Sequence, residues 1–129
     1  MKLKIFIFIY DLIIPIIMIF CGVTFRNHIP KNINGIYGYR TAMSMKNKDT
    51  WEFAHQYCGR LWIKAGLIML ILSIIFIFTS FMFNDKVQQI ISLSIVLIQT
   101  IAIILSIFPV EKELKKTFDE NGNRKDNHY

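Results

Sequence analysis

Three apolar runs, at about residues 5–25, 61–83 and 87–110, constrain this chain more than any other feature. Each has the length of roughly 20 residues that a helix needs to cross a hydrocarbon core. A chain of 129 residues could not hide them in a soluble core together with 11 phenylalanines and a hydrophobic content of 53%. The expected class is all-α and integral to a membrane. It has three transmembrane helices in one domain, 1–110, with a structured loop at 26–60 and a charged tail at 111–129. The break at Asn84-Asp85-Lys86 is short enough to make the second and third spans an antiparallel hairpin.

Lys2 and Lys4 ahead of a stretch that ends at Cys21-Gly22 give the first run the look of a secretory or lipoprotein leader. The run is too long for a typical leader core, however, no Ala-x-Ala follows, and bulky Phe20 precedes Cys21, so a retained span is expected. Charge then sets the orientation. The N-terminus and the 84–86 turn carry 3 of the 15 Lys and Arg, and the loop side and tail carry the other 12. The positive-inside rule places the loop and tail in the cytoplasm and the N-terminus outside, against the local preference of Lys2 and Lys4. The net charge of +6 thus gathers beside the spans, where anionic head groups attract it, and nucleic acid is not an expected partner. Cys21 in a span and Cys58 on a reducing side do not suggest a disulfide. The abundance of Ile, Lys and Asn fits an AT-rich bacterial genome.

The polar block Asn34-Gly35-Ile36-Tyr37-Gly38-Tyr39-Arg40-Thr41 is more specific than a connection between spans requires. Asn34-Gly35 and Gly38 mark tight turns where positive φ is tolerated, which sets Arg40 on a compact hook. A helix is expected from Asp49, capped by it with Glu52 reaching back. Trp51, Ala54, Cys58 and Leu61 recur at helical spacing, so this segment is expected to lie in the interface, with Trp51, Tyr57 and Trp62 as anchors.

Gly38-Tyr39-Arg40-Thr41, then Ser44, Asn47 and Trp51, then Gly59 at the entry to a span, resemble the signature of the SdpI-like family. These are bacterial membrane proteins named for immunity to a secreted toxic peptide, and the resemblance covers about residues 10–105. It implies a multi-pass protein of the bacterial cytoplasmic membrane that protects its host against a membrane-active peptide by binding. In the founding type it also implies relay of toxin binding to a cytoplasmic regulator. Larger family members carry an additional N-terminal membrane half that this sequence lacks, and Ala42 stands where the family often has Pro.

The binding residues the resemblance implies are Gly38, Tyr39, Arg40, Thr41, Ser44, Asn47 and Trp51. An Arg held between glycines suits a bidentate grip on a carboxylate or phosphate, and as a plain topology charge it would need no such turn. Trp51 reads equally as an interfacial anchor or as packing for the hook. His55 and Cys58 share a helical face, but two ligands without a third do not make a metal site, and no cofactor is expected. Nor is there a nucleophile–base pair or a phosphate-cradling glycine loop, so the chain is read as a non-enzyme.

Within the spans, Gly59, Gly66, Ser73 and Ser80 recur at intervals of seven, as do Ser92, Gln99 and Ser106. Asp11, Pro15, Met18 and Gly22 share a face of the first span. In a hairpin, Gly66 with Ser106, Ser73 with Gln99, and Ser80 with Ser92 lie at equal depth, each pair of numbers summing to 172. The two stripes are expected to face each other, with Gln99 bonded to Ser73 and Gly66 allowing close approach. Asp11 is costly at its depth. It reads either as a functional carboxylate or as one that tilts to outside water, is neutral, or pairs with Lys86. Two other functions fit the same sequence: a membrane-bound regulatory subunit that holds a cytoplasmic partner through its basic loop and tail, or a small transporter using Asp11 and Gln99 after self-association.

Overall fold

The computed structural model describes residues 2–125, with side chains from Ile5 to Lys125. The side chains of Lys2 and Lys4 and the end of the tail, including His128, lie outside the described residues. Four helices follow one another: α1 (Lys2–Asn27), α2 (Lys48–Ser80), α3 (Asp85–Leu105) and α4 (Ile107–Thr117). Among the described residues there is no strand, only an isolated bridge between Phe118 and Arg124. Three stretches are long and apolar enough to cross a membrane: Ile5–Asn27, Lys48–Ser80 and Asp85–Thr117.

The second expected span and the segment before it are one continuous helix of 33 residues. Its start differs from expectation by two residues. Asn47, not Asp49, caps α2: its side chain accepts from Thr50 N at 2.9 Å, and Thr50 Oγ1 accepts from Asn47 N at 3.1 Å. The same reciprocal logic applies with a hydroxyl in place of the expected Glu52 carboxylate. Asp49 binds Arg124 instead, through two bonds of 2.9 Å.

The first helix lies along α2, and glycine permits their approach. A Cβ at Gly22 would stand 2.8 Å from Gly59 O, and one at Gly59 would stand 2.7 Å from Gly22 O. Gly66 meets α1 as well, with Ile19 Cγ1 2.7 Å and Pro15 O 3.1 Å from where its Cβ would be. The expected opposition of Gly66 and Ser106 is therefore not what forms. The glycine half of the α2 stripe serves α1, and Ser106 accepts from the indole N–H of Trp62 at 3.0 Å. Small residues allow backbones to touch but carry no information about which neighbour they touch.

Polar residues join the third helix. Pro15 has no N–H to donate to the carbonyl of Asp11 four residues earlier, and in lipid no water can replace that donor. Gln99 replaces it: its Nε2 donates to Asp11 O at 3.2 Å and to Ser73 Oγ at 3.1 Å, so one carboxamide joins all three spans. The expected Gln99–Ser73 bond is present. Ser92 turns from Ser80 to Asp11, donating from Oγ to Oδ1 at 2.8 Å. Asp11 is fully buried, so neither a tilt to outside water nor a pair with Lys86 describes it. Most large aliphatics of the spans, such as Ile71, Leu72 and Leu97, face outward, as a lipid solvent requires.

The apolar core sits at the loop end of the bundle. There Val110 and Leu114 of α4, and Phe118 at its C-cap, are buried against Phe25, Tyr39, Ala54 and Cys58. As far as Thr117 the charged segment after 110 is helix, held by an apolar stripe at i, i+4 spacing.

The stitch through Gln99 yields a thermodynamic expectation. Gln99→Leu should destabilise the protein in reversible unfolding from mixed micelles, and should cost less when Pro15→Ala restores a donor for Asp11 O. The coupling is expected near 0.6 kcal/mol, the average for interhelical hydrogen bonds. Strict additivity would mean that Gln99 does not stand in for the missing N–H.

Candidate functional site: a hook seated on the second helix

Residues 28–47 form no regular helix or strand, and many of their backbone groups are met by side chains instead. Asn34 begins the hook: its Oδ1 accepts from Ile36 N at 3.0 Å and from Tyr37 N at 2.7 Å. Gly35 does not adopt positive φ, and a Cβ there would meet nothing within 4 Å, so the first turn depends on the Asn side chain. Gly38 does require glycine. Its φ is +113°, and a Cβ would lie 2.5 Å from His55 Nε2 and 3.2 Å from the Trp51 ring.

That proximity leads to the central contact. Tyr39 N donates to His55 Nε2 at 2.9 Å, while His55 Nδ1 lies 2.8 Å from Trp51 O. A carbonyl only accepts, so Nδ1 carries the proton and Nε2 is the acceptor. The imidazole is packed at 4.3 Å against Trp51 and at 5.1 Å, edge-on, against Phe25. Trp51, fully buried, donates from its indole N–H to Pro30 O at 2.8 Å and thereby anchors the start of the loop.

Beyond Gly38 the chain is locked by short reciprocal bonds. Tyr39 OH donates to Glu111 Oε1 at 2.9 Å. Burial first, then the Glu111 carboxylate, push the phenol well above its usual range, so it stays a donor. Thr41 N donates to Ser44 Oγ at 2.9 Å, and Ser44 Oγ donates toward Tyr39 O at 3.0 Å. Thr50 Oγ1 donates to Ser44 O at 3.1 Å, and Asn47 Nδ2 donates to Gly122 O at 2.7 Å. Six of the seven expected residues are buried or half-buried and build the hook. Arg40 is the exposed one, and its guanidinium donates to Gly35 O, closing the hook on itself.

Arg40 also borders a cavity of about 290 Å³ whose other walls include Phe25, Trp62, Ile103 and Ile107. An apolar cleft bordered by an exposed arginine suits a ligand with an apolar body and an anionic end. The intramembrane residues Asp11, Ser73 and Gln99 form a separate cluster with Ser92, in which Asp11 Oδ2 and Gln99 Oε1 are buried without a partner among the described residues.

Sequence reasoning missed two parts of the hook. By residue type His55 suggests only an incomplete metal site, yet both of its nitrogens are committed to backbone groups. Glu111 belongs by charge to the tail, although Val110, Leu114 and Phe118 at i, i+4 spacing are a legible sign that this segment docks.

The model of the SdpI/YfhL protein family matches residues 31–110 of this chain, which takes in the hook, α2 and α3. The chain is also similar to "Uncharacterized protein YfhL" of Bacillus subtilis (strain 168), with 40% identity over 53 residues, 41% of this chain and 48% of that protein. The match thus spans about half the length of that curated relative. No solved structure matches.

Gly38→Ala should release the hook, because it adds both a clash with His55 and a strained φ costing of order 1–3 kcal/mol. Tryptic cleavage after Arg40 in protein held in lipid nanodiscs is expected to rise roughly tenfold. Gly35→Ala should leave the rate unchanged. Equal rates for Gly38→Ala and the parent would contradict the seating of the hook.

Proposed function

This chain belongs to the SdpI/YfhL protein family, and we propose that it is an immunity-type membrane protein that protects its bacterial host against a membrane-active toxic peptide by binding. The observation that carries this reading is the division of labour in the hook. Gly38, Tyr39, Thr41, Ser44, Asn47 and Trp51 fix the backbone, and Arg40 is left exposed at the rim of an apolar cleft. A guanidinium so held keeps N–H groups for an incoming carboxylate, and its immobilisation is complete before the ligand arrives. The cleft wall of Phe25, Trp62 and Ile107 would receive apolar side chains of the same peptide. Recognition at this depth needs no reacting group, in keeping with binding rather than catalysis.

The orientation in this reading has the hook, the 26–60 loop and the C-terminal side in the cytoplasm and the N-terminus outside, from the charge asymmetry of 12 against 3. The hook then meets a peptide that has already entered the bilayer or crossed it. A cytoplasmic regulator docking on the same basic side is the alternative that a failed toxin challenge would favour.

Expression in a sensitive host should raise the tolerated dose of a membrane-active bacterial peptide. Arg40→Gln should remove that protection at unchanged membrane levels, by roughly tenfold in dose for one lost charge-assisted contact. Trp51→Ala is less informative because that ring is buried structure. Protection unaffected by Arg40→Gln would sink the site, and no protection across a broad peptide panel would sink the function. For orientation, Lys86→Cys in a background free of Cys21 and Cys58 should react with an impermeant reagent in intact cells, and Ile36→Cys only after permeabilisation. The reverse pattern would invert the topology.

A further inference from the structure

A second polar site lies where α1 ends. Arg26, Asn27, Gln56 and Arg60 line an open cavity of about 250 Å³ between α1 and α2. Gln56 and Arg60 are one helical turn apart on α2, and Arg26 and Asn27 close α1. The glycine contact brings them together. The position of a Cβ on Gly59 would be 2.9 Å from Arg26 N and 3.1 Å from Arg26 Cβ, so the main chain carrying one arginine touches α2 at the residue before the other.

Nothing within the described protein uses these side chains: none of the four makes a hydrogen bond or ion pair there, and no acid lines the cavity. Arg124, by contrast, is held by Asp49. Arg26 and Arg60, both exposed, bring two positive charges to one cavity, and an anion bound between them would relieve that local excess. Each offers a planar fork of N–H donors, and Asn27 and Gln56 add carboxamide donors beside them. A cavity lined by two arginines and two carboxamides, rich in N–H donors, matches an anion with three or more oxygens better than it matches a two-oxygen carboxylate.

Depth points to the same ligand. By the sequence, Arg26 directly follows the first apolar run and Arg60 directly precedes the second, the level at which lipid phosphates are expected. We propose that Arg26, Asn27, Gln56 and Arg60 form a binding site for a phosphate group, presented by an anionic lipid or free in solution. The site is independent of the immunity reading and of Arg40. Its occupant neutralises the arginine pair and ties the end of α1 to α2 at the level of the head groups.

The test uses the full chain in phosphatidylcholine nanodiscs or the matching detergent. Short-chain phosphatidic acid, short-chain phosphatidylcholine and inorganic phosphate are each titrated while the thermal unfolding midpoint is followed. Phosphatidic acid should raise the midpoint in a saturable manner and phosphatidylcholine should not. A rise with phosphatidic acid alone assigns the site to a lipid head group, and an equal rise with inorganic phosphate assigns it to the free ion. The double variant Arg26→Gln/Arg60→Gln should weaken the apparent affinity roughly tenfold or more. Lys112→Gln/Lys116→Gln, which removes the same charge from the exposed side of α4, should not. The site is overturned if neither phosphate compound acts on the parent protein, if the arginine variant binds like the parent, or if the lysine variant loses as much as the arginine variant, since diffuse attraction would then suffice.

Discussion

The hydrogen bond from Tyr39 N–H to the Nε2 of His55 holds the loop to the membrane helix, and much of the loop-side structure depends on it. A segment without helix or strand has few ways to satisfy its amides, and a buried amide left open costs about as much as a lost hydrogen bond. Here the acceptor is an imidazole whose tautomer is dictated from behind by the Trp51 carbonyl. Only glycine at 38 lets the chain pass close enough to use it. With Tyr39 so placed, its phenol reaches Glu111, and α4 closes over the side of the hook. Loop, helix start and C-terminal extension therefore form one small apolar core at the end of the bundle, stabilised by water exclusion that the lipid-facing spans cannot supply.

Inside the bilayer the constraint is different. Apolar side chains gain nothing there by touching each other rather than lipid, so association depends on close backbone approach and on polar groups that must be paired. Gly22, Gly59 and Gly66 provide the first along α1 and α2. The second comes from an apparent defect: Pro15 leaves the Asp11 carbonyl open, and Gln99 fills it while holding Ser73. The same face of α1 places the Asp11 carboxylate on Ser92, so the third helix is fixed by polar contacts and the second by shape.

Much of this was legible in the residues. Run length and composition were enough for three spanning helices, and antiparallel depth alone was enough to pair Ser73 with Gln99. Partner choice was not legible. Gly66 and Ser92 each carry the small or polar character of a contact face, but a stripe on one helix can serve either of two neighbours, and both residues turned to α1. The α2 cap lay two residues from where Asp49 and Glu52 point, because Asn47 caps with the Thr50 hydroxyl, a pairing outside the usual Glu or Gln pattern, while Asp49 binds Arg124 from far along the chain. Of the hook, Gly38 and Arg40 stood out by type and spacing. His55 did not, because its role follows from a carbonyl and an amide that no residue pattern encodes.

The seating of the hook is open to direct measurement by nuclear magnetic resonance on isotope-labelled protein in nanodiscs. His55 should be neutral, with its proton on Nδ1, and its Nε2 should show a scalar coupling across the hydrogen bond to the Tyr39 amide. An Nε2–H tautomer, or a Tyr39 amide that lacks this coupling and exchanges with solvent as fast as exposed loop amides, would contradict the account.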